Sequence, residues 1–120
     1  MSENVIKTKS FNFALRIIKL FQFLNQEKKE FVLSKQLLRI GTSIGALVRE
    51  SEQAESKKDF IHKLAIAQKE ANETDYWLEL LFQSDYLNQT QFQSIKSDII
   101  EINKILASII ITTKQKLATE

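Results

Sequence analysis

The sequence predicts an all-α protein, an antiparallel up-down-up-down four-helix bundle. Three observations carry this expectation. Apolar residues recur at helical spacing nearly throughout. The 120 residues hold no proline and only two glycines. The breaks between periodic stretches are short and polar, and short joints make consecutive long helices antiparallel neighbours. With no linker, repeat or low-complexity stretch, residues 1–120 read as one domain, large enough to bury a core.

The first helix is expected over about Ser10–Gln26. Phe11, Ala14, Ile18 and Phe21 form one apolar row on it, and Phe13, Ile17, Leu20 and Leu24 form a second. Two rows make a wide apolar face, and the polar cluster Asn25–Glu30 ends the pattern. The second helix is expected over about Phe31–Glu52, with Leu33, Leu37, Ile40, Ile44, Leu47 and Ser51 facing inward. The third opens at Ser56, where an acid three residues on (Asp59) resembles a capping box, and runs to Ser84–Asp85. Its inward row is Phe60, Leu64, Ala67, Ala71, Thr74, Leu78 and Phe82. The fourth starts after Asn88 or Thr90. Phe92, Ile95, Ile99, Ile102, Leu106, Ile109 and Thr113 keep an unbroken heptad register. That register outweighs the strand preference of the β-branched run 109–113.

Gly41 and Gly45 lie four residues apart inside the second helix. Each mid-helix glycine costs about 1 kcal/mol relative to alanine, so a pair on one face implies another helix pressed against the bare backbone. A phosphate-binding loop is not indicated, because the run Gly41–Ala46 lacks the terminal Lys-Ser/Thr and no strand precedes it.

Composition excludes several chemistries. There is no cysteine, hence no disulfide framework and no thiolate. The lone His62 cannot build a histidine metal site, and no Glu-x-x-His pair of the di-iron bundle type occurs. The polar start of the chain lacks a signal-peptide core and no apolar run is long enough to span a bilayer. A cytoplasmic protein with no membrane segment and no cofactor is the expectation, and no catalytic residue or enzymatic activity is assigned.

Net charge is +2, but it is uneven. Residues 1–50 carry 9 basic and 4 acidic side chains (+5), and residues 51–120 carry 8 and 11 (−3). Lys9, Arg16 and Lys19 fall close together on the first helix and form a candidate nucleic-acid-binding patch. Two further stripes stand out. Arg39, Ser43, Ala46 and Glu50 share a face of the second helix, about a quarter turn from its core row. On the third helix, Glu70, Glu73 and Thr74 lie among Ile66, Trp77 and Leu81. Carboxylates flanked by large apolar groups need partners, and Arg39 is the natural one, either within a subunit or across a subunit boundary. Arg39, Ser43, Glu50, Glu70, Glu73 and Trp77 therefore form a candidate polar network or subunit interface. The apolar surplus around Tyr76, Trp77 and Leu80, with the wide face of the first helix, points to self-association.

The segment Ser34–Leu81 resembles the bacterial four-helix bundle proteins of the 23S rRNA intervening-sequence family, also called S23 proteins. One block is Arg39, Gly41–Ala46 (Gly-Thr-Ser-Ile-Gly-Ala) and Glu50. The other is Ser56, Asp59, Phe60, Lys63, Leu64, then Ala67, Lys69, Glu70, Glu73, Thr74, Tyr76, Trp77 and Leu78. Leu47-Val48 stands where many relatives have Asn-Ile. The resemblance implies an antiparallel bundle that assembles as a homopentamer, with no enzymatic activity. It also implies kinship to the basic accessory protein of diversity-generating retroelements, which associates with nucleic acid and a reverse transcriptase. RNA or DNA, or a protein that handles them, is thus a candidate partner. A structural or protein-interaction module that never touches nucleic acid is the alternative, and the modest charge of this chain weakens the phosphate-binding reading.

Overall fold

The computed structural model describes residues 2–120. It contains four helices: α1 (Ser2–Gln26), α2 (Leu33–Ser51), α3 (Lys57–Gln83) and α4 (Gln89–Ala118). They form a rod 53 Å long and about 20 Å across. Each helix packs on its sequence neighbours and α4 also meets α1, while diagonal helices meet only through the side chains of the shared core.

Cross-helix pairs fix the directions. Lys7 near the start of α1 meets Glu52 just beyond α2 at 3.2 Å, while Asn25 near the end of α1 meets Ser34 at the start of α2. Asp75 pairs with Lys96, and Phe82 stacks on Phe92 with centroids 4.3 Å apart. Arg16 meets Asp98 and Lys9 meets Glu101. Neighbours are thus antiparallel all the way round, as an up-down-up-down bundle requires.

The inward row of α4 is the one expected from the periodicity. That of α3 matches at its centre, but Phe60 and Phe82 at its ends are only half-buried, and Leu81, expected outside the row, is fully buried. Leu64, Ala67, Ala71, Thr74 and Leu78 are buried on α3, as are Phe92, Ile95, Ile99, Ile102, Leu106 and Ile109 on α4. Fully burying one such aliphatic side chain stabilises the fold by about 1.5–3 kcal/mol. The buried hydroxyls of Ser10, Ser51 and Thr74 bond to the carbonyls of Lys7, Val48 and Glu70 on their own helices, so they need no partner across the core.

Three details depart from the sequence reading. First, α1 begins at Ser2 rather than near Ser10. Ile6 and Ser10 are buried and extend the row Phe13, Ile17, Leu20, Leu24 backward in heptad steps, a signal masked by the polar residues between them. Second, only that row of α1 is core; Phe11 and Ile18 of the other row stay 47% and 39% exposed. Third, Val48 rather than Leu47 is fully buried on α2, because α2 faces α1 as well as α3.

The α1–α2 contact is set by the glycines. A Cβ on Gly41 would lie 2.8 Å from Ile17 Cγ1, and one on Gly45 would lie 3.2 Å from the Ser10 carbonyl oxygen. Both bare positions are therefore filled by α1, at Gly45 by its backbone.

The α1–α2 turn is held by Glu30. Its carboxylate accepts N–H bonds from Val32, Leu33 and Ser34 at 3.0, 2.9 and 2.7 Å, satisfying the open first turn of α2. This cap starts α2 at Leu33 and leaves Phe31 and Val32 outside it. Burial pushes the Glu30 carboxyl up, but the backbone N–H groups outweigh burial and its pKa falls below the ordinary glutamate value. At α3, Ser56 accepts from Asp59 N, while the Asp59 carboxylate accepts from Glu55 N rather than closing the box on Ser56. At α4, Asn88 and Gln91 form a complete capping box.

Two predictions follow from these contacts. Urea unfolding should rank stability Gly41 above Gly41→Ala above Gly41→Leu. Alanine gains about 1 kcal/mol of helix propensity but loses about 1–3 kcal/mol to overpacking against Ile17. In a double-mutant cycle Ile17→Ala, which removes Cγ1, Cγ2 and Cδ1, should abolish the overpacking part of the alanine loss. A leucine variant more stable than the parent would refute the close approach. For Glu30, a lowered folded pKa adds stability that is complete above the unfolded value and lost as pH falls through the folded one. Glu30→Gln should cost about 1 kcal/mol and several degrees of Tm at neutral pH. That gap should narrow as pH falls through the lowered folded pKa, where the parent carboxylate takes up its proton.

Candidate interaction surfaces

The α2 and α3 stripes flank the α2–α3 seam, linked by one ion pair. Lys63 reaches Glu50 at 3.7 Å and Asp59 at 3.6 Å, which sets the register. From Lys63, Ile66, Glu70, Glu73 and Trp77 continue along α3 in heptad steps, as Ala46, Ser43 and Arg39 do backward from Glu50 along α2. Seven residues from each partner of the Glu50–Lys63 pair lie Ser43 and Glu70, so these two are level. Arg39 lies level with Glu73–Thr74.

Among the described residues Arg39 bonds no glutamate. Its Nη2 donates to Gln36 Oε1 at 3.1 Å, one turn away on α2. Within the chain the register puts Ser43, not Arg39, opposite Glu70. Among the described residues no cation pairs with Glu70 or Glu73, and Glu73 is exposed. Ser43 bonds back to the Ile40 carbonyl. Trp77 is half-buried against the core, edge-on to the exposed Tyr76 at 5.5 Å, and its indole N–H has no acceptor.

The basic residues of α1 lie on the seam with α4. Lys9 pairs with Glu101 at 3.0 Å. Arg16 is held more tightly: Nη1 donates to Asp98 at 2.6 Å and Nη2 to Ser94 Oγ at 3.0 Å. Lys9 and Arg16 are thus balanced by carboxylates, and Lys19 alone of the three has no such partner among the described residues. These acids were not assigned from the sequence. Their signal was the opposite sign of the charges flanking the two inward rows, Lys9 and Arg16 beside Phe13, and Asp98 and Glu101 beside Ile99.

This seam is the sparsest of the four, and two clefts open along it. One, of about 330 Å³, has Leu20, Phe23, Leu87 and Ile95 for its floor, with Arg16, Lys19 and Gln91 at its edge. The other, of about 220 Å³, is crossed by the Lys9 and Arg16 ion pairs. Arg16 borders both.

The outer face of α1 carries Phe11, Leu15 and Ile18, each 39–47% exposed and spaced by four and three residues. The Arg49 guanidinium lies over the Phe11 ring, 5.1 Å from its centroid, covering one end of this strip by a cation–π contact.

Nothing in these surfaces assembles an acid–base pair around a nucleophile. His62 is exposed, and the described residues hold no group of three metal-ligating side chains. Glu30, whose pKa is displaced, is spent on capping α2, so its displacement is structural rather than catalytic. No described helix is long and apolar enough to cross a membrane.

The model of the 23S rRNA-intervening sequence protein family matches residues 2–108. A crystal structure of a protein of unknown function from the S23 ribosomal protein family of Bacteroides thetaiotaomicron is 61% identical. The match covers 92% of this chain and 98% of that one, with a TM-score of 0.90. No curated protein matches the chain. The family match spans nearly the whole bundle, including the glycine pair and both polar stripes, and the chain belongs to the 23S rRNA-intervening sequence protein family.

Proposed function

We propose that this protein is a non-enzymatic, self-associating bundle of the cytoplasm that serves as a scaffold or protein-interaction module. The observation that carries the reading is the strip Phe11, Leu15 and Ile18 on α1, which stays 39–47% exposed with only its Phe11 end met by Arg49 of α2. Large apolar groups in a contiguous line on a water-facing helix mark an interaction site. A second copy is a fitting occupant, and a ring of five is the number implied by the family resemblance. The two stripes add to this reading. Arg39 bonds only the neutral Gln36, and Glu70 and Glu73 meet no cation among the described residues, so all three could pair across a subunit boundary. The cytoplasmic assignment is supported by the absence of cysteine.

Nucleic-acid binding has less support. Affinity from phosphate neutralisation scales with the number of cations placed on phosphates, and Lys9 and Arg16 are already matched to Glu101 and Asp98. The net charge of +2 leaves little field to compensate.

Native mass spectrometry of the parent should show an oligomer, with five subunits expected. Leu15→Glu and Ile18→Glu should weaken assembly at least about thirtyfold, the scale of an interface hot spot, while helicity by circular dichroism is kept. A monomeric parent at micromolar concentration would overturn the reading. In filter binding to duplex DNA, retention should fall with log salt no more steeply than about −0.9 per subunit, the slope of one phosphate contact. A slope matching three or more contacts per subunit would restore the nucleic-acid role to Lys9, Arg16 and Lys19.

A further inference from the structure

The larger α1–α4 cleft has features that the assembly reading does not use. Its volume, about 330 Å³, is at the lower end of the range of small-molecule sites. Its floor is apolar, and its polar groups are few and placed unevenly. Arg16 and Lys19 precede Leu20 and Phe23 along α1, so positive charge sits at one end. Apolar surface continues from there toward Leu87 at the end of the bundle.

The two cations differ in kind. Arg16 is fixed by Asp98 and Ser94, and its charge is balanced, so it acts as a rigid wall with N–H groups left over. Lys19 is exposed, lies next to the apolar floor, and has no carboxylate partner among the described residues. It supplies the net positive charge. Gln91 is tied to the α4 cap through its side-chain oxygen, so the opposite edge is neutral.

We propose that this cleft binds a linear amphiphile with an anionic head, an acyl carboxylate, its head at Lys19 and Arg16 and its chain over Leu20, Phe23, Leu87 and Ile95. Charge complementarity selects the sign of the head: a cationic amphiphile would meet Lys19, and a neutral one would leave it unused. The narrow cleft between two antiparallel rods suits a single chain rather than a folded segment. The cleft lies on the α4 side of α1, marked by Arg16 and Phe23, whereas Phe11 and Ile18 lie toward α2, where Arg49 covers Phe11. Phe11 and Ile18 are thus the strip positions apart from the cleft, whereas Leu15 lies one turn before Lys19 and borders its cationic edge.

The test is calorimetric titration of the full chain, in its native assembly, with decanoate, decanol and decylammonium. Methyl-region NMR would locate each ligand. Decanoate should bind saturably, about tenfold more tightly than either other probe, and shift the methyls of Leu20, Leu87 and Ile95. Lys19→Glu should weaken decanoate about tenfold, since an attraction is lost and a repulsion of similar size is added, and should leave decanol unchanged. Gln91→Glu keeps the capping box, in which glutamate serves as well as glutamine, and should also weaken decanoate. Equal affinity for decanoate and decanol, shifts confined to other surfaces, or no saturable binding at millimolar decanoate would each overturn the proposal.

Discussion

The contact between α1 and α2 is the constraint on which the rest of the bundle depends. At Gly45 the backbone of α1 comes so near that a methyl group would sit 3.2 Å from the Ser10 carbonyl oxygen. At Gly41 the space is taken by Ile17, which is itself fully buried. That closeness fixes which row of α1 points inward. It buries Ile6, Phe13, Ile17 and Leu24, and it turns Phe11, Leu15 and Ile18 outward. The outward strip on which self-association is argued is therefore a by-product of the glycine contact. An α1 rotated to bury both apolar rows would lose the seat of Ile17 against Gly41.

Three of the four seams are held by different means. The α1–α2 seam is close backbone packing capped by the Glu30 turn. The α3–α4 seam combines an aromatic stack with the Asp75–Lys96 pair. The α1–α4 seam relies on partly exposed ion pairs, which contribute about 0–1 kcal/mol each. Its scarcity of apolar packing is what leaves the two clefts open. Family membership sits well with this division, because the blocks that carry the resemblance lie on α2 and α3, the helices that supply the glycine contact and the polar stripes.

Much of the fold was legible in the chain, and the reasons differ by element. α4 was plain because every inward position of one heptad row is apolar and ends up buried, apart from the half-buried Thr113. The start of α1 was not, because Ile6 and Ser10 are separated by polar residues and a serine hides among them as a buried core member. Glu30 was read as part of a polar break. An acid just ahead of an apolar run was the available signal, but capping from two residues before the cap position departs from the usual spacing. For the surfaces, spacing places Arg39, Ser43 and Glu50 on one stripe of α2, and Glu70, Glu73 and Trp77 on one stripe of α3. Which of them meet is not legible in the chain, since pairing depends on the stagger of two helices.

The order of the seams also bears on how the chain reaches this state. Three of the four helix contacts join neighbours in sequence, and only α1 with α4 brings distant segments together. Loop closure is thus brief for most of the native interactions, the situation in which small domains fold fastest. The one long-range seam is also the least packed, so its ion pairs can form after the other three interfaces are in place. A strengthened α1–α4 seam would then slow escape from the native state without hastening arrival, since interactions made late act on the unfolding rate.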